Sequence, residues 1–221
     1  MLKSIIGVGM TTCNEMLSIE LGMLSIRTLI MLKQWVFWKK VHELEGDEPL
    51  THAINEAKRF NLKEVKYYEN LVNCYTSKEE IVSKYFEDVK SRIHSKATSG
   101  RSKYLTYLLI NPDLKTPQIY KQVYDKKDVS MMAKLRTSSH NLQIEMGRRT
   151  HTPADQRLCH CGENVENEEH FLLRCESYEE IRRKHNINNI KISELLDNET
   201  YIQYIHELWE KRKYIMSREN N

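Results

Sequence analysis

The chain has 221 residues, 40% of them apolar and 29% charged, with only seven Gly and four Pro. That length can bury a core in one or two domains, and so few turn formers exclude a loop-rich or all-β design. A formal net charge of +3 permits nucleic-acid binding without demanding it.

The first fifteen residues carry an apolar patch, Ile5-Ile6-Gly7-Val8, too short for the apolar region of a secretory leader. Met16–Glu45 reads as one or two amphipathic helices, bent or broken at Gly22. Leu17, Leu21, Leu24, Thr28, Met31/Leu32, Trp35 and Trp38 recur at three- and four-residue steps. That stripe is read as core packing; the competing reading makes Trp35 and Trp38 exposed anchors for a partner. Glu20, Arg27, Lys33 and Lys39 interrupt the run, so no membrane span is expected.

Gly46-Asp47-Glu48-Pro49 has the composition of a turn. Thr51–Phe60 and Asn61–Cys74 follow as a helical hairpin, whose Tyr67 and Tyr68 are assigned to packing in preference to stacking on bases. Ser77-Lys78-Glu79-Glu80 is a capping box, predicting a helix over 78–94 with Ile81, Tyr85/Phe86, Val89 and Ile93 on its apolar face. These segments make 16–96 a helical region, closed by a small, polar, basic linker at 97–103.

Residues 104–156 read as a basic helical segment. Tyr104–Ile110 leans to helix, Asn111-Pro112-Asp113 and Thr116-Pro117 are turn and helix-start signals, and a helix is expected over 129–138. The next helix is expected to end at Gly147, read as its left-handed terminator, before a flexible basic bridge at 148–153. Bases outnumber acids here: Lys126, Lys127, Lys134, Arg136, Arg148, Arg149 and Arg157 are the candidate phosphate contacts. Within 157–221, short helices are expected over 176–185 and 193–198. A final amphipathic helix over 199–218 should bury Ile202, Ile205, Leu208/Trp209 and Ile215.

Three of the five cysteines fall in this last segment. Cys159, Cys161, His170 and Cys175 spell C-x-C, eight residues, then H-x4-C, the donor types of a structural Zn²⁺ site with no open position for water. An extended C-x-C would point its thiols to opposite faces, so 159–162 must turn, which Gly162 allows. His170 and Cys175 are about 140° out of register on an ideal helix, so the helix must begin at His170 or loosen before Cys175. His160 is an alternative ligand. Cys13 and Cys74 are read as lone thiols. Cysteines in no even framework point to a reducing intracellular compartment, nuclear or cytoplasmic. The expected fold is mainly α: a helical N-terminal half, then a helical segment carrying a small zinc-knuckle-like unit and a C-terminal helix.

The stretch 135–184 resembles the C-terminal tail of polyproteins from LINE-type, non-LTR retrotransposons. The likeness is carried by Leu135-Arg136, Ser138-Ser139-His140, Leu142, Ile144-Glu145, Gly147-Arg148, Pro153, Arg157, Cys159, Cys161-Gly162, Glu169-His170-Phe171-Leu172-Leu173, Cys175, Tyr178, Arg182 and Lys184. It is dense over about fifty residues and looser from Met16 to Lys134. It implies a zinc-binding tail that follows a reverse transcriptase and helps it grip RNA or DNA, with the polymerase portion separate or missing upstream. No adjacent Asp pair occurs in the chain, so no polymerase activity is expected from it. The alternatives are a helical protein-interaction module, with the acid-rich cysteine segment or the stripe Leu17–Trp38 as its surface, and a retroelement remnant without function.

Overall fold

A computed structural model describes residues 2–43, 49–123 and 125–219. The described residues are helical apart from turns and one antiparallel bridge, Leu158 to Val165, which makes the protein mainly α as expected. In chain order the helices are α1 (Leu2–Ile5), α2 (Asn14–Leu21), α3 (Ile26–His42), α4 (Pro49–Arg59), α5 (Lys63–Cys74), α6 (Lys78–Thr98), α7 (Ser102–Ile110), α8 (Ile119–Gln122), α9 (Lys126–Arg136), α10 (Gln143–Arg149), α11 (Glu179–Lys184), α12 (Ile192–Leu195) and α13 (Ile202–Glu219). The turn read at 46–49 lies outside the described residues except for Pro49, which opens α4. No helix among the described residues is long and apolar enough to cross a membrane.

The chain divides into two compact units, residues 1–22 with 93–221, and residues 23–92. In the smaller unit α3 packs its tryptophans inward: Trp35 and Trp38 are buried, with Leu71 and Ile81 beside Trp35. Trp35 Nε1 donates to the Tyr75 carbonyl (3.1 Å), and Tyr68 stacks on Trp38 with ring centroids 4.9 Å apart. Tyr68 is therefore a packing residue, and the tryptophans are core. The capping box at α6 forms with a one-residue offset: Ser77 Oγ accepts from Glu80 N (3.1 Å), while the Glu80 carboxylate reaches back to Thr76 N (2.7 Å). The stretch 97–103 is the last turn of α6, a bend at Gly100 and the start of α7.

The larger unit is built around Met132, Leu135, Leu142, Phe171, Leu172, Tyr178, Leu195, Leu196, Tyr204, Ile205 and Leu208, all fully buried. The first residues of the chain belong to it, because Ile6 and Val8 pack on Leu17 and Ala133. Gly9 N also donates to Ser139 Oγ (2.7 Å). Across this core runs a buried ion pair that sequence reasoning missed. Arg136 donates through Nε and Nη2 to both oxygens of Glu20, at 2.7 and 3.1 Å, and through Nη1 to the Leu196 carbonyl. Tyr107 and Tyr120 donate their hydroxyls to the same carboxylate. Burial, then the Glu20 charge, pushes both phenols up, so they remain protonated donors.

Glycine at 147 has a different cause from the one expected. It lies inside α10, and a Cβ there would meet Cγ and Cδ of Arg157 at 2.5 Å. The helix instead runs on to Arg149, with Thr150 as its C-cap.

Removing one member of a buried pair strands the other charge in the core. Glu20→Gln is expected to cost about 3–5 kcal/mol in urea unfolding. A loss below about 1 kcal/mol, the range of an exposed pair, would contradict this placement.

Candidate metal centre

The four candidate ligands come from a hairpin and an irregular helix. Leu158 bridges Val165, Cys159 N donates to the Asn164 carbonyl (2.8 Å), and Gly162 N donates to the Cys159 carbonyl (2.8 Å). That last bond closes the tight turn that C-x-C requires. Gly162 takes a left-handed φ of 79° with nothing near its absent Cβ, so conformation alone calls for glycine.

The register problem between His170 and Cys175 is solved by loosening the helix. Asn167 Oδ1 caps its start by accepting from His170 N (2.8 Å), and His170–Arg174 then forms a π turn. Cys175 N donates to the His170 carbonyl at 2.8 Å, five residues back. A π turn carries one residue more than an α turn, which brings positions five apart toward a common face. Phe171 and Leu172 point into the core from the same turn.

The result is a cluster whose four ligand atoms, one from each of Cys159, Cys161, His170 and Cys175, all lie within 4.8 Å of one another. Cys159 Sγ and Cys175 Sγ are 3.7 Å apart, and Cys161 Sγ is 3.3 Å from His170 Nε2. Bond lengths of about 2.3 Å to sulfur and about 2.0 Å to nitrogen give tetrahedral edges of about 3.8 Å between sulfurs and about 3.5 Å from sulfur to nitrogen. The observed pairs match those edges, and 3.7 Å is far outside disulfide bonding. The cysteines are free. The four residues can therefore hold a metal ion.

The charge state suits this. The Cys159 thiol bonds to the Cys175 sulfur and holds Cys175 well below the ordinary thiol range, at about 4. The same bond, with burial, pushes Cys159 up. Metal binding requires both sulfurs as thiolates, so it would release any proton held between them.

His160 belongs to a second, weaker group with Cys159 and Glu166. Its Nδ1 is 3.4 Å from Cys159 Sγ, so it lies beside the cluster. Glu166 is already engaged: Arg212 Nε and Nη2 donate to its two oxygens at 2.6 and 2.7 Å, and Gln143 N adds another bond (2.7 Å). Glu168 is likewise buried, accepting from Ser138 Oγ (2.6 Å) and lying 2.9 Å from His140 Nε2. Two of the acids in this segment are therefore interior fasteners and unavailable to an acidic docking surface.

The seven candidate phosphate contacts separate. Lys126, Lys127 and Arg149 are exposed and Lys134 half-buried. Arg136 is 2% exposed and committed to Glu20, which corrects its assignment to the surface. Arg157 is also turned inward, donating to the carbonyls of Thr152 and Ile144, and Arg148 is tied to Glu145 and Ser102. Glu145, three residues before Arg148 on the same helix, is the one partner visible in the sequence; Arg136 and Arg157 meet Glu20 and the carbonyls of Thr152 and Ile144 only on folding.

No family model, curated protein or solved structure matches the chain.

With Co²⁺ as a visible probe, wild type and His160→Ala are expected to give the same tetrahedral, thiolate-rich spectrum, while His170→Ala changes it. Loss of the spectrum in His160→Ala with retention in His170→Ala would reassign the imidazole ligand.

Proposed function

We propose that the chain is a zinc-stabilised, nucleic-acid-binding segment of the kind that follows the reverse transcriptase of non-LTR retrotransposons, itself without polymerase chemistry. The convergence of three sulfurs and one imidazole at tetrahedral spacing, inside the stretch that carries the resemblance, is the observation that supports this most. Zn²⁺ is the metal this donor set favours, because three thiolates and an imidazole suit a borderline-soft ion of no redox chemistry. Bound there, it would serve a structural role. The four protein ligands fill the tetrahedron and leave no position for a reacting water.

The phosphate-binding role falls to fewer residues than the sequence offers. Lys127 and Lys134, seven apart on α9, share one helix face, and Lys126 and Arg149 are open to solvent. Contacts of this kind position a phosphate backbone and read no base. Its partner would be an RNA or DNA backbone, with a polymerase portion carried elsewhere.

Binding to duplex DNA or RNA should weaken linearly on a log–log salt plot, by about 0.9 per phosphate engaged. The double variant Lys127→Glu/Lys134→Glu is expected to reduce that slope by about 2 while leaving the unfolding midpoint unchanged. Affinity indifferent to salt, or a slope unaltered by the double variant, would count against this surface.

A further inference from the structure

We propose that the outward face of α3 is a docking face for an acidic amphipathic helix of another protein. The helix has two apolar sides, and the smaller unit uses one. Trp35 and Trp38 are buried against α5, whereas Ile26, Leu29, Ile30 and Phe37 are 77%, 42%, 52% and 51% exposed. These are large side chains, and on an exposed helix they are costly unless something covers them.

Their spacing forms a seam. Ile26, Ile30, Lys33, Phe37 and Lys40 follow one another at steps of four, three, four and three, the repeat by which one helix presents a continuous stripe to another. Leu29 widens the stripe on one side. The two lysines lie within the seam, between and beyond the apolar residues. Both are exposed, and neither has an ion-pair partner among the described residues. Lys39, by contrast, is occupied by the Trp35 ring, 4.9 Å away, and by the Thr76 carbonyl. The seventeen residues of α3 contain Arg27, Lys33, Lys39 and Lys40 and no acid at all.

That charge pattern selects the occupant. A second copy of the chain would bring lysines against a helix equally devoid of acids, and like charges at a seam are repulsive. A lipid surface takes the apolar side of a helix with its bases on the opposite, polar side, whereas here the ammonium groups would enter with the isoleucines. A phosphate backbone offers nothing apolar to Ile26, Ile30 and Phe37. A helix with apolar residues alternating with Asp or Glu satisfies both components at once: aliphatic contacts cover the four exposed side chains, and carboxylates meet Lys33 and Lys40.

The test uses the full chain and two synthetic amphipathic helices with the same leucine seam, one carrying Glu and the other Lys at the flanking and in-seam polar positions. Fluorescence anisotropy should show saturable binding of the Glu helix alone. Ile30→Ser and Phe37→Ser should each weaken it at least about tenfold, as loss of an apolar anchor does. Circular dichroism melting should show the fold intact, since both side chains are exposed. The charge reversal Lys33→Glu/Lys40→Glu should transfer preference to the Lys helix, an outcome that mere hydrophobic adhesion does not give. Equal affinity for both helices, or insensitivity to these substitutions, would overturn the proposal. So would a wild-type dimer dispersed by Phe37→Ser, or binding to duplex DNA or phosphatidylserine vesicles lost through the same two serine substitutions.

Discussion

One backbone irregularity governs how the candidate metal centre and the core of the larger unit fit together. A regular helix through 168–175 would turn Cys175 away from His170; the π turn at His170–Arg174 places both in one cluster with Cys159 and Cys161. The same turn sends Phe171 and Leu172 into the core and leaves the Cys175 carbonyl to accept from Arg182 (2.6 Å). Ligand convergence, core packing and the approach of α11 are thus set by the same five residues.

Around this centre the larger unit is fastened by charges that a surface census would assign to solvent. Glu166 holds Arg212 on α13, Glu168 holds Ser138 and His140 after α9, and Glu20 on α2 holds Arg136. Each pair joins segments distant in sequence. Buried pairs contribute little net stability against an apolar substitute, but removing one partner of such a pair is costly because it strands the other in the core. Several residues that carry the retrotransposon resemblance act inside the fold: Arg136, Ser138, Ser139, His140, Arg157 and Cys159. The exposed or half-buried bases among the candidate phosphate contacts, Lys126, Lys127, Lys134 and Arg149, lie outside that set.

Helical periodicity made much of the fold legible. The buried side of α13, the cap of α6 and the inward tryptophans of α3 follow from the spacing of apolar residues and one capping signature, both local properties of the chain. The Cys/His cluster was legible for a different reason: thiols and imidazole at short separation have few other uses together, and the register conflict required the helix either to begin at His170 or to loosen before Cys175. What escaped was long-range pairing. Nothing near Arg136 in sequence announces Glu20, and nothing near Gly147 announces that Arg157 will lie across it. The N-terminal segment carried no motif, yet Ile6 and Val8 complete a hydrophobic contact that includes Ala133, more than a hundred residues away. A second apolar side on α3 was hidden because the sequence pattern revealed one stripe and its burial could not reveal the other's exposure.

Metal content can be measured by native mass spectrometry before and after a strong chelator. One zinc ion per purified chain is expected, removed by the chelator together with the cooperative thermal transition of the larger unit. A chain isolated without bound metal, melting identically with and without chelator, would contradict this expectation.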